Sequence, residues 1–411
     1  MKYPSLYLHY LRENSVLLNI KTISEVTAIF FLKYWLLIDM ANGYMMRNAM
    51  LFPGGFSLGE LSRIGFLIVF LISFKIKKNK LDLLFILTPF LLLSMSLAHY
   101  IIMDAGLVKS INISVKLSLP IFIFLFVKEN LNGKRDLIIK ILKLNSFILI
   151  FNLLISLFGI GFFSYGSSGG MRFGGKGFFF AGNEVSGVII ATYALFVYLY
   201  KSNAKKVLIV TFIYLFISLI SLTRSSIFGV FIIFVTFILV YKKENRIIFI
   251  APFFILMVGV GAILREYIML AINRASFFID KSSMLIFMTG GEKRWAAASD
   301  YFDNFLENPL FLFVGSGWVG LAEQDLVDLI DAFGMFGVLL YLIWFYFAAY
   351  TYKNQERRSD KIFVIVVFLI LLGVATIAGH IIYSAMLAPF IAILANLHLL
   401  KKNYKLYYTI A

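Results

Sequence analysis

Residues 206–241 read KVLIVTFIYLFISLISLTRSSIFGVFIIFVTFILVY, and this stretch decides the fold class. Its two halves, 206–222 and 225–241, are very apolar, and only Thr223 and Arg224 separate them. A helix that crosses the hydrocarbon core of a membrane needs roughly 17–25 apolar residues. The stretch therefore predicts two membrane-spanning helices joined by a tight link.

The composition of the whole chain agrees with this interpretation. Of its 411 residues, 61% are hydrophobic and 15% are charged, whereas a soluble domain is roughly half apolar and about a quarter charged. Seven prolines and the lack of a polar low-complexity tract exclude a disordered chain. The absence of cysteine excludes disulfides, thiolate metal sites and thiol nucleophiles. We therefore predict an all-α integral membrane protein, with residues 1–411 forming one polytopic domain.

The chain contains about twelve apolar segments that are candidates for transmembrane helices. They are 24–43, 57–74, 82–102, 111–127, 137–160, 183–200, 206–222, 225–241, 247–264, 332–352, 361–378 and 381–400. Lys33 and Asp39 interrupt the first segment. Twelve spans of about 20 residues leave room for one substantial loop outside the membrane.

Alternate loops between these spans carry the basic residues. They lie within 75–80, 128–136, 201–206, 242–246, 353–361 and 401–405. An even number of spans puts all of them, and the basic N-terminus, on one side. By the positive-inside rule this side is the cytoplasm, so both termini are predicted to be cytoplasmic. The rule also explains most of the formal charge of +16 without a nucleic-acid partner.

Two loops on the predicted outer, or periplasmic, side are long enough to carry function. The first, 161–182, is rich in glycine, and the second, 265–331, connects spans 9 and 10. The second holds five basic and ten acidic residues. It is too long for a turn, so we expect it to contain short helices of its own.

The glycine-rich loop contains two cations, Arg172 and Lys176. Glycines let backbone N–H groups approach an anion closely, and these cations add positive charge. Residues 170–176 fit the first part of a nucleotide-binding loop, but position 177 is Gly instead of the Ser or Thr that holds magnesium. We reject that interpretation; the alternative to an anion site is a flexible re-entrant loop without a ligand.

Two further arginines on this side are candidates for phosphate binding. Arg224 lies between two apolar segments, and Arg294 lies in the large loop just before Trp295. A guanidinium that faces a cavity suits a pair of phosphate oxygens. The alternatives are a membrane-edge anchor for Arg224 and a solvated loop charge for Arg294.

An acidic run directly precedes the tenth apolar segment. Asp325, Asp328 and Asp331 have the spacing of one helical stripe, and Glu323 comes just before them. The run predicts either a solvated first turn, where acids suit the helix dipole, or a carboxylate base beside an arginine-lined pocket. His380 opens the last apolar segment, and a catalytic and a structural role for it remain equally open. The acids alone are weak support for a metal site, and we predict none.

These segments together resemble the O-antigen polymerases (Wzy-type) of the O-antigen polymerase and ligase family. The resemblance covers roughly residues 165–400 and depends on the order of several short motifs. They are Arg172, Gly182-Asn183-Glu184, Thr223-Arg224-Ser225, Arg294-Trp295, Asn308–Leu310, Gly315, Gly317, Phe333-Gly334, Gly337 and Gly379-His380.

The resemblance implies a GT-C-type glycosyltransferase in the bacterial inner membrane. Its substrate would be an oligosaccharide linked to undecaprenyl diphosphate, with the growing chain transferred to the non-reducing end of a new unit. The resemblance implies no metal and no cofactor, and it admits a protein that regulates chain length as a partner. Arg172, Lys176, Arg224 and Arg294 would neutralise the diphosphate, which leaves with developing negative charge. Glu323, then Asp325, then His380 are the candidates for the base.

Two other functions remain open. Ligases of the same family often have His-Asn where this chain has Glu323, and this departure favours a polymerase. A lipid-linked oligosaccharide flippase or other transporter would place ionisable residues at mid-membrane and tends to contain repeats. Here Lys33, Asp39 and Lys116 are the plausible mid-span charges, and no internal repeat with matching motifs is present.

Overall fold

The computed structural model describes residues 20–52, 56–73, 80–103, 107–165, 172–241, 292–317 and 323–401, with isolated residues at 259, 262, 265 and 269. The predicted ninth span, 247–264, and the first part of the large loop lie outside the continuous ranges.

The described part of the chain is built almost entirely of α-helices. They are α1 (20–33), α2 (Trp35–Arg47), α3 (Leu58–Ser73), α4 (Lys80–Met103), α5 (Leu107–Asn130), α6 (Arg135–Ile155), α7 (Gly182–Tyr200), α8 (Ala204–Ser221), α9 (Arg224–Tyr241), α10 (Glu292–Glu307), α11 (Leu310–Val314), α12 (Asp325–Phe333), α13 (Met335–Lys353), α14 (Arg358–Ala378) and α15 (Ala388–Ala395). Strands β1 (Phe162–Tyr165) and β2 (Phe173–Gly177) form one hairpin between α6 and α7.

Eight of the described helices are long and apolar enough to cross a membrane. They are α4 to α9, α13 and α14, and they match eight of the twelve predicted spans. Large apolar side chains such as Ile101 and Phe158 are exposed on these segments, as expected for helix faces that contact lipid. The prediction of a multi-pass, all-α membrane protein is confirmed at this level, and the number of twelve stays a prediction.

The link between α8 and α9 lies one residue from the predicted position. α8 ends at Ser221 and α9 begins at Arg224, so Leu222 and Thr223 form the link. Leu222 adopts a left-handed backbone conformation, with φ of 50°. Thr223 caps the turn through its hydroxyl, which lies 2.6 Å from that of Ser226.

The first apolar segment is helical but broken at Tyr34. Asn145 of α6 satisfies the groups that the break exposes: its side-chain amide donates to the carbonyl of Leu32 at 2.8 Å and accepts from the backbone N–H of Leu36 at 3.0 Å. Within a membrane, an interrupted backbone needs such partners from neighbouring helices. The helix thus breaks next to Lys33, one of the two charged residues that interrupt the apolar segment, and Asn145 stabilises the break.

The last apolar segment, 381–400, is not one continuous helix. Only Ala388–Ala395 is α-helical, and a short 3-10 turn follows at Leu397–Leu400. The segment is buried, and side chains of other helices bond to its backbone. Trp35 donates to the carbonyl of Ala385 at 2.9 Å, and Thr351 donates to that of Ala395 at 2.9 Å. Burial inside the protein is the condition under which irregular backbone is tolerated at membrane depth.

The glycine-rich segment departs from the all-α prediction, because part of it forms a β-hairpin. Its strands are antiparallel, with Tyr165 opposite Phe173. Asn152 of α6 holds the hairpin by donating to the carbonyl of Lys176 and accepting from the N–H of Phe178, both at 2.9 Å. Gly177 has φ of 58°, and a Cβ there would lie 2.1 Å from the carbonyl oxygen of Asn152. Only glycine allows this close approach.

Candidate functional site

A turn at the end of α14 is the point where three of the sequence motifs meet. We call residues 377–384 the central turn; it includes the last two residues of α14 and precedes α15. Gly379 and His380 both have positive φ, of 66° and 60°. Two consecutive residues in this conformation reverse the chain direction sharply, and the non-glycine residue is held there by its surroundings.

The start of α7 binds both ends of the central turn. The side-chain amide of Asn183 donates to the carbonyl of Ala378. The hydroxyl of Ser384 donates to the carboxylate of Glu184 at 2.8 Å. The Gly-Asn-Glu motif that follows the hairpin is therefore positioned against the motif that contains His380, almost 200 residues further along the chain.

Arg294 and Glu323 form an ion pair beside the same turn. The guanidinium of Arg294 donates through Nη2 to Oε2 of Glu323 and through Nη1 to the carbonyl of Ile377 at 3.1 Å. The side chain of Arg294 is 18% exposed and that of Glu323 is 46% exposed. A guanidinium has five N–H donors in a fixed plane, so these two bonds fix its orientation and leave further donors for a ligand.

The acidic stripe on α12 is buried. Asp325, Asp328 and Asp331 all point into the protein, which confirms that they share one helical face. The interpretation as a solvated first turn is wrong for these three residues, because the start of α12 packs against the central turn. A buried carboxylate needs hydrogen-bond partners to offset its lost hydration.

Asp325 and Asp328 find those partners in the central turn. Oδ2 of Asp325 accepts the backbone N–H groups of Ile381 and Ile382, at 2.8 and 2.7 Å. The hydroxyl of Tyr383 donates to Oδ2 of Asp328 at 3.2 Å. Asp331 instead accepts from the hydroxyl of Ser316 at 2.8 Å. The first two acids thus hold the central turn, and the third anchors the end of the large loop.

Burial raises the pKa of Asp325 to about 7. The backbone N–H groups of Ile382 and Ile381 lower the pKa, and the charge of Asp328 raises it. Burial likewise raises the pKa of Asp331 to about 6. Both values lie well above the ordinary pKa of an aspartate, near 3.9.

We predict that these raised pKa values make the protein less stable as the pH rises. Between about pH 4 and pH 7 the folded chain keeps a proton on Asp325 that the unfolded chain has released, so the free energy of unfolding falls as the pH increases through this window. The midpoint of thermal unfolding in detergent should be lower at pH 8 than at pH 5. The fall should be smaller in Asp325→Asn, in which the amide oxygen still accepts the two N–H groups.

Asp331 keeps part of the pH dependence in that variant, since its pKa is shifted in the same direction. The matched control is Asp136→Asn, because the side chain of Asp136 is 91% exposed. This control should show the same fall as the wild type. An equal fall in Asp325→Asn and wild type would contradict the assignment to Asp325.

His380 lies at the edge of this arrangement. Its ring packs edge-on against Tyr383, with 5.3 Å between the ring centroids, and the residue is only partly buried. His99, by contrast, bonds through Nε2 to the carbonyl of Val314 at 2.7 Å and anchors the end of α11. His99 thus has a structural contact, and His380 remains accessible from the candidate site.

One cation of the glycine-rich segment, Lys176, borders the start of α7. Lys176 donates to the carbonyl of Phe180 at 2.8 Å, and burial lowers its pKa. A Cβ on Gly182 would lie 3.5 Å from Lys176 and 4.0 Å from Thr223, so both residues border this helix end. Arg172 precedes β2 and Arg224 opens α9, and both are exposed.

A second set of polar residues lies on α2, α3 and α5; the sequence predictions named Asp39 and Lys116 but missed their partners. Arg63 pairs with Asp39 at 3.4 Å, and Asn112 donates to Glu60 at 2.7 Å. Lys116 interacts electrostatically with Glu184 as well as with Asp39, which connects this set to the start of α7. Spacings of three between Glu60 and Arg63 and four between Asn112 and Lys116 could have indicated shared helix faces.

The eight long apolar helices and the buried acids of α12 define a multi-pass helical membrane protein with a buried polar centre. The chain matches no family model, no curated protein and no solved structure.

Proposed function

We propose that the protein is an O-antigen (surface polysaccharide) polymerase, a GT-C-type glycosyltransferase that uses an oligosaccharide linked to undecaprenyl diphosphate. One observation carries the proposal. Asn183 of the Gly-Asn-Glu motif and both Arg294 and Asp325 of the large loop bond to the central turn, which itself contains the Gly-His motif. Three motifs of the resemblance, which are far apart in the sequence, thus meet at one turn, and this supports a common site.

The first requirement of this reaction is to stabilise the leaving diphosphate. Negative charge develops on the leaving phosphate as the glycosidic bond breaks, and fixed cationic donors stabilise it. Arg294 suits this role because two hydrogen bonds orient its guanidinium before substrate arrives. Lys176, which borders the start of α7, would supply further positive charge to the diphosphate, and we also assign this role to the exposed Arg172 and Arg224.

The second requirement is a base for the acceptor hydroxyl. We assign this role to Glu323, because its side chain is the most accessible carboxylate among the candidates and it adjoins Arg294. Asp325 is buried, with one oxygen occupied by two N–H groups. Its role is to position the central turn, and thereby His380. His380 remains the alternative base, since it lies at the accessible edge of the same turn.

The proposal places the site on the periplasmic face of the bacterial inner membrane. α6, α7 and α14 each have one end at a basic loop and the other end at the hairpin or the central turn, so the site lies opposite the basic loops. By the positive-inside rule the basic side is cytoplasmic, as are both termini. The partners would be the lipid-linked oligosaccharide, the surrounding membrane lipid and a protein that regulates chain length.

A flippase for the same lipid-linked unit is the second candidate. It is favoured by the ion pair of Asp39 with Arg63 and by Lys116, since ionisable residues within spans are typical of transport pathways. A ligase that transfers finished polymer to lipid A core is a third outcome that the same experiment separates.

The test is deletion of the gene in its native strain, followed by gel analysis of the surface polysaccharide. We expect single repeat units on complete lipid A core, with the long chains lost and restored by the wild-type gene. Repeat units absent from the core, with long polymer still on its lipid carrier, would indicate a ligase. Unpolymerised units held on the cytoplasmic side would indicate a flippase. Either result would overturn the proposal.

A further inference from the structure

A cavity of about 300 Å³ lies on the side of the molecule opposite the candidate site. We call it the basic pocket. It opens between the start of α6, the end of α7 and the start of α14, and its charged lining residues are Arg135, Lys201, Arg357, Lys401, Glu356 and Asp360. The basic loops lie on this face, so the positive-inside rule predicts that it is cytoplasmic.

The two acids in the lining do not neutralise the four cations. Asp360 is buried and is already paired with Lys201 at 2.6 Å and with the hydroxyl of Tyr241 at 2.7 Å. Glu356 is 89% exposed, and it is 3.6 Å from Lys401. An ion pair this open to solvent contributes little. Four cations and two carboxylates leave a formal charge of +2 around a partly enclosed space.

The cations are held in place with donors to spare. Arg135 donates through Nε to the carbonyl of Leu400 at 2.8 Å. Lys201 lies 3.8 Å above the ring of Tyr198, in addition to its pairing with Asp360. Burial lowers the pKa of Lys201, the hydrogen bond to Asp360 and the charge of Asp360 raise it, and the nearby charges of Arg357 and Lys401 lower it. These like charges therefore repel one another, and an anion between them would relieve the repulsion.

Two helix N-termini add to the positive electrostatic potential of the basic pocket. α6 begins at Arg135 and α14 begins at Arg358, next to the lining residue Arg357. Neither start has a side-chain capping bond. The first N–H groups of a helix carry partial positive charge and favour anions, phosphate groups in particular. The pocket thus combines guanidinium, ammonium and backbone N–H donors, all of which carry full or partial positive charge.

We propose that the basic pocket binds a phosphate-bearing anion. The ligand chemistry is a phosphate group with room for a small attached moiety, as in the head group of an anionic phospholipid or in free inorganic phosphate. A pocket between helix ends at the cytoplasmic membrane surface favours the lipid. The pocket lies on the opposite face from the central turn, so this proposal does not rest on glycosyl transfer.

The purified full-length protein is reconstituted in nanodiscs of phosphatidylcholine, with and without phosphatidylglycerol, and the midpoint of thermal unfolding is measured. The wild type should unfold at a higher temperature with phosphatidylglycerol. Native mass spectrometry of the wild type should detect retained phosphatidylglycerol. In the second arm, millimolar inorganic phosphate is added to the protein in phosphatidylcholine nanodiscs. An equal rise of the unfolding midpoint there would support an anion site in the pocket but would assign it to a soluble ligand.

A double variant and a control variant test whether the anion binds in the basic pocket. Arg357→Ala combined with Lys401→Ala should weaken phosphatidylglycerol binding about fivefold for each cation removed. Arg358→Ala is the matched control, because Arg358 is an exposed neighbour that does not line the pocket; it should behave as the wild type. The proposal is overturned if neither anion stabilises the wild type. It is also overturned if the double variant and the control respond equally.

Discussion

Replacing Arg294 by alanine is expected to remove long-chain polysaccharide from the cell surface. The guanidinium bonds to both Glu323 and the carbonyl of Ile377, and no other residue type supplies two such directed donors with a permanent charge. Loss of one preorganised group that stabilises developing charge costs roughly 10²–10³-fold in rate. Arg294→Lys should also be strongly impaired, since an ammonium group cannot reproduce the planar geometry.

The measurement is the chain-length pattern of surface polysaccharide in the deletion strain that carries each variant, with membrane levels of the protein checked by immunoblot. Arg47→Ala is the matched control, because Arg47 is an exposed arginine at the end of α2. Full-length polymer in Arg294→Ala at normal protein levels would refute the role of Arg294 in diphosphate binding.

Two conservative substitutions separate the base from the positioning residue. Glu323→Gln can still bond to Arg294 but cannot accept a proton, so it should abolish polymer. Asp325→Asn still accepts the N–H groups of Ile381 and Ile382, so it should keep measurable activity. The reverse result would move the base to Asp325.

Much of the helical architecture could be predicted from the sequence, because the length and polarity of a membrane span are local properties. The residues between α8 and α9 are an example, where two polar residues in a long apolar stretch placed the link to within one residue. The break at Tyr34 was only suggested by Lys33, since its stability depends on Asn145, more than 100 residues away. The irregular path of 381–400 likewise depends on Trp35 and Thr351.

The difference between local patterns and contacts of distant residues also applies to the candidate site. The shared face of Asp325, Asp328 and Asp331 follows from helical spacing, and the structure confirms it. Their burial does not follow from spacing, because it results from packing of α12 against a turn about 55 residues later. The pairing of Arg294 with Glu323 is also a tertiary contact. Sequence patterns identified the candidate residues, and only the fold brings Arg294, Glu323 and Asp325 to the turn that contains His380.

Gly379→Ala is expected to damage the candidate site more than any other substitution of similar size. A Cβ at this position would lie 2.3 Å from the carbonyl oxygen of Glu323, and Gly379 has φ of 66°. Both constraints oppose a side chain, and strain of this kind costs about 1–3 kcal/mol. The backbone at Glu323 must move away from the central turn, which would separate Glu323 from Arg294. We expect the amount of long polymer to fall at least about tenfold, because a displacement of about 1 Å in a group that acts on the substrate already slows a reaction strongly.

Gly373→Ala is the control that makes this expectation specific. Gly373 lies on the same helix, α14, and a Cβ there would have no neighbouring atom within 4 Å. Alanine is favoured over glycine inside a helix by about 1 kcal/mol, so this variant should be at least as stable as the wild type and fully active. A lower unfolding midpoint together with lost polymer in Gly379→Ala, and neither change in Gly373→Ala, would establish that close packing of residue 323 on the central turn is required for activity. Normal polymer in Gly379→Ala would mean that the reaction does not depend on this turn, and the catalytic role of Glu323 would then have to be abandoned.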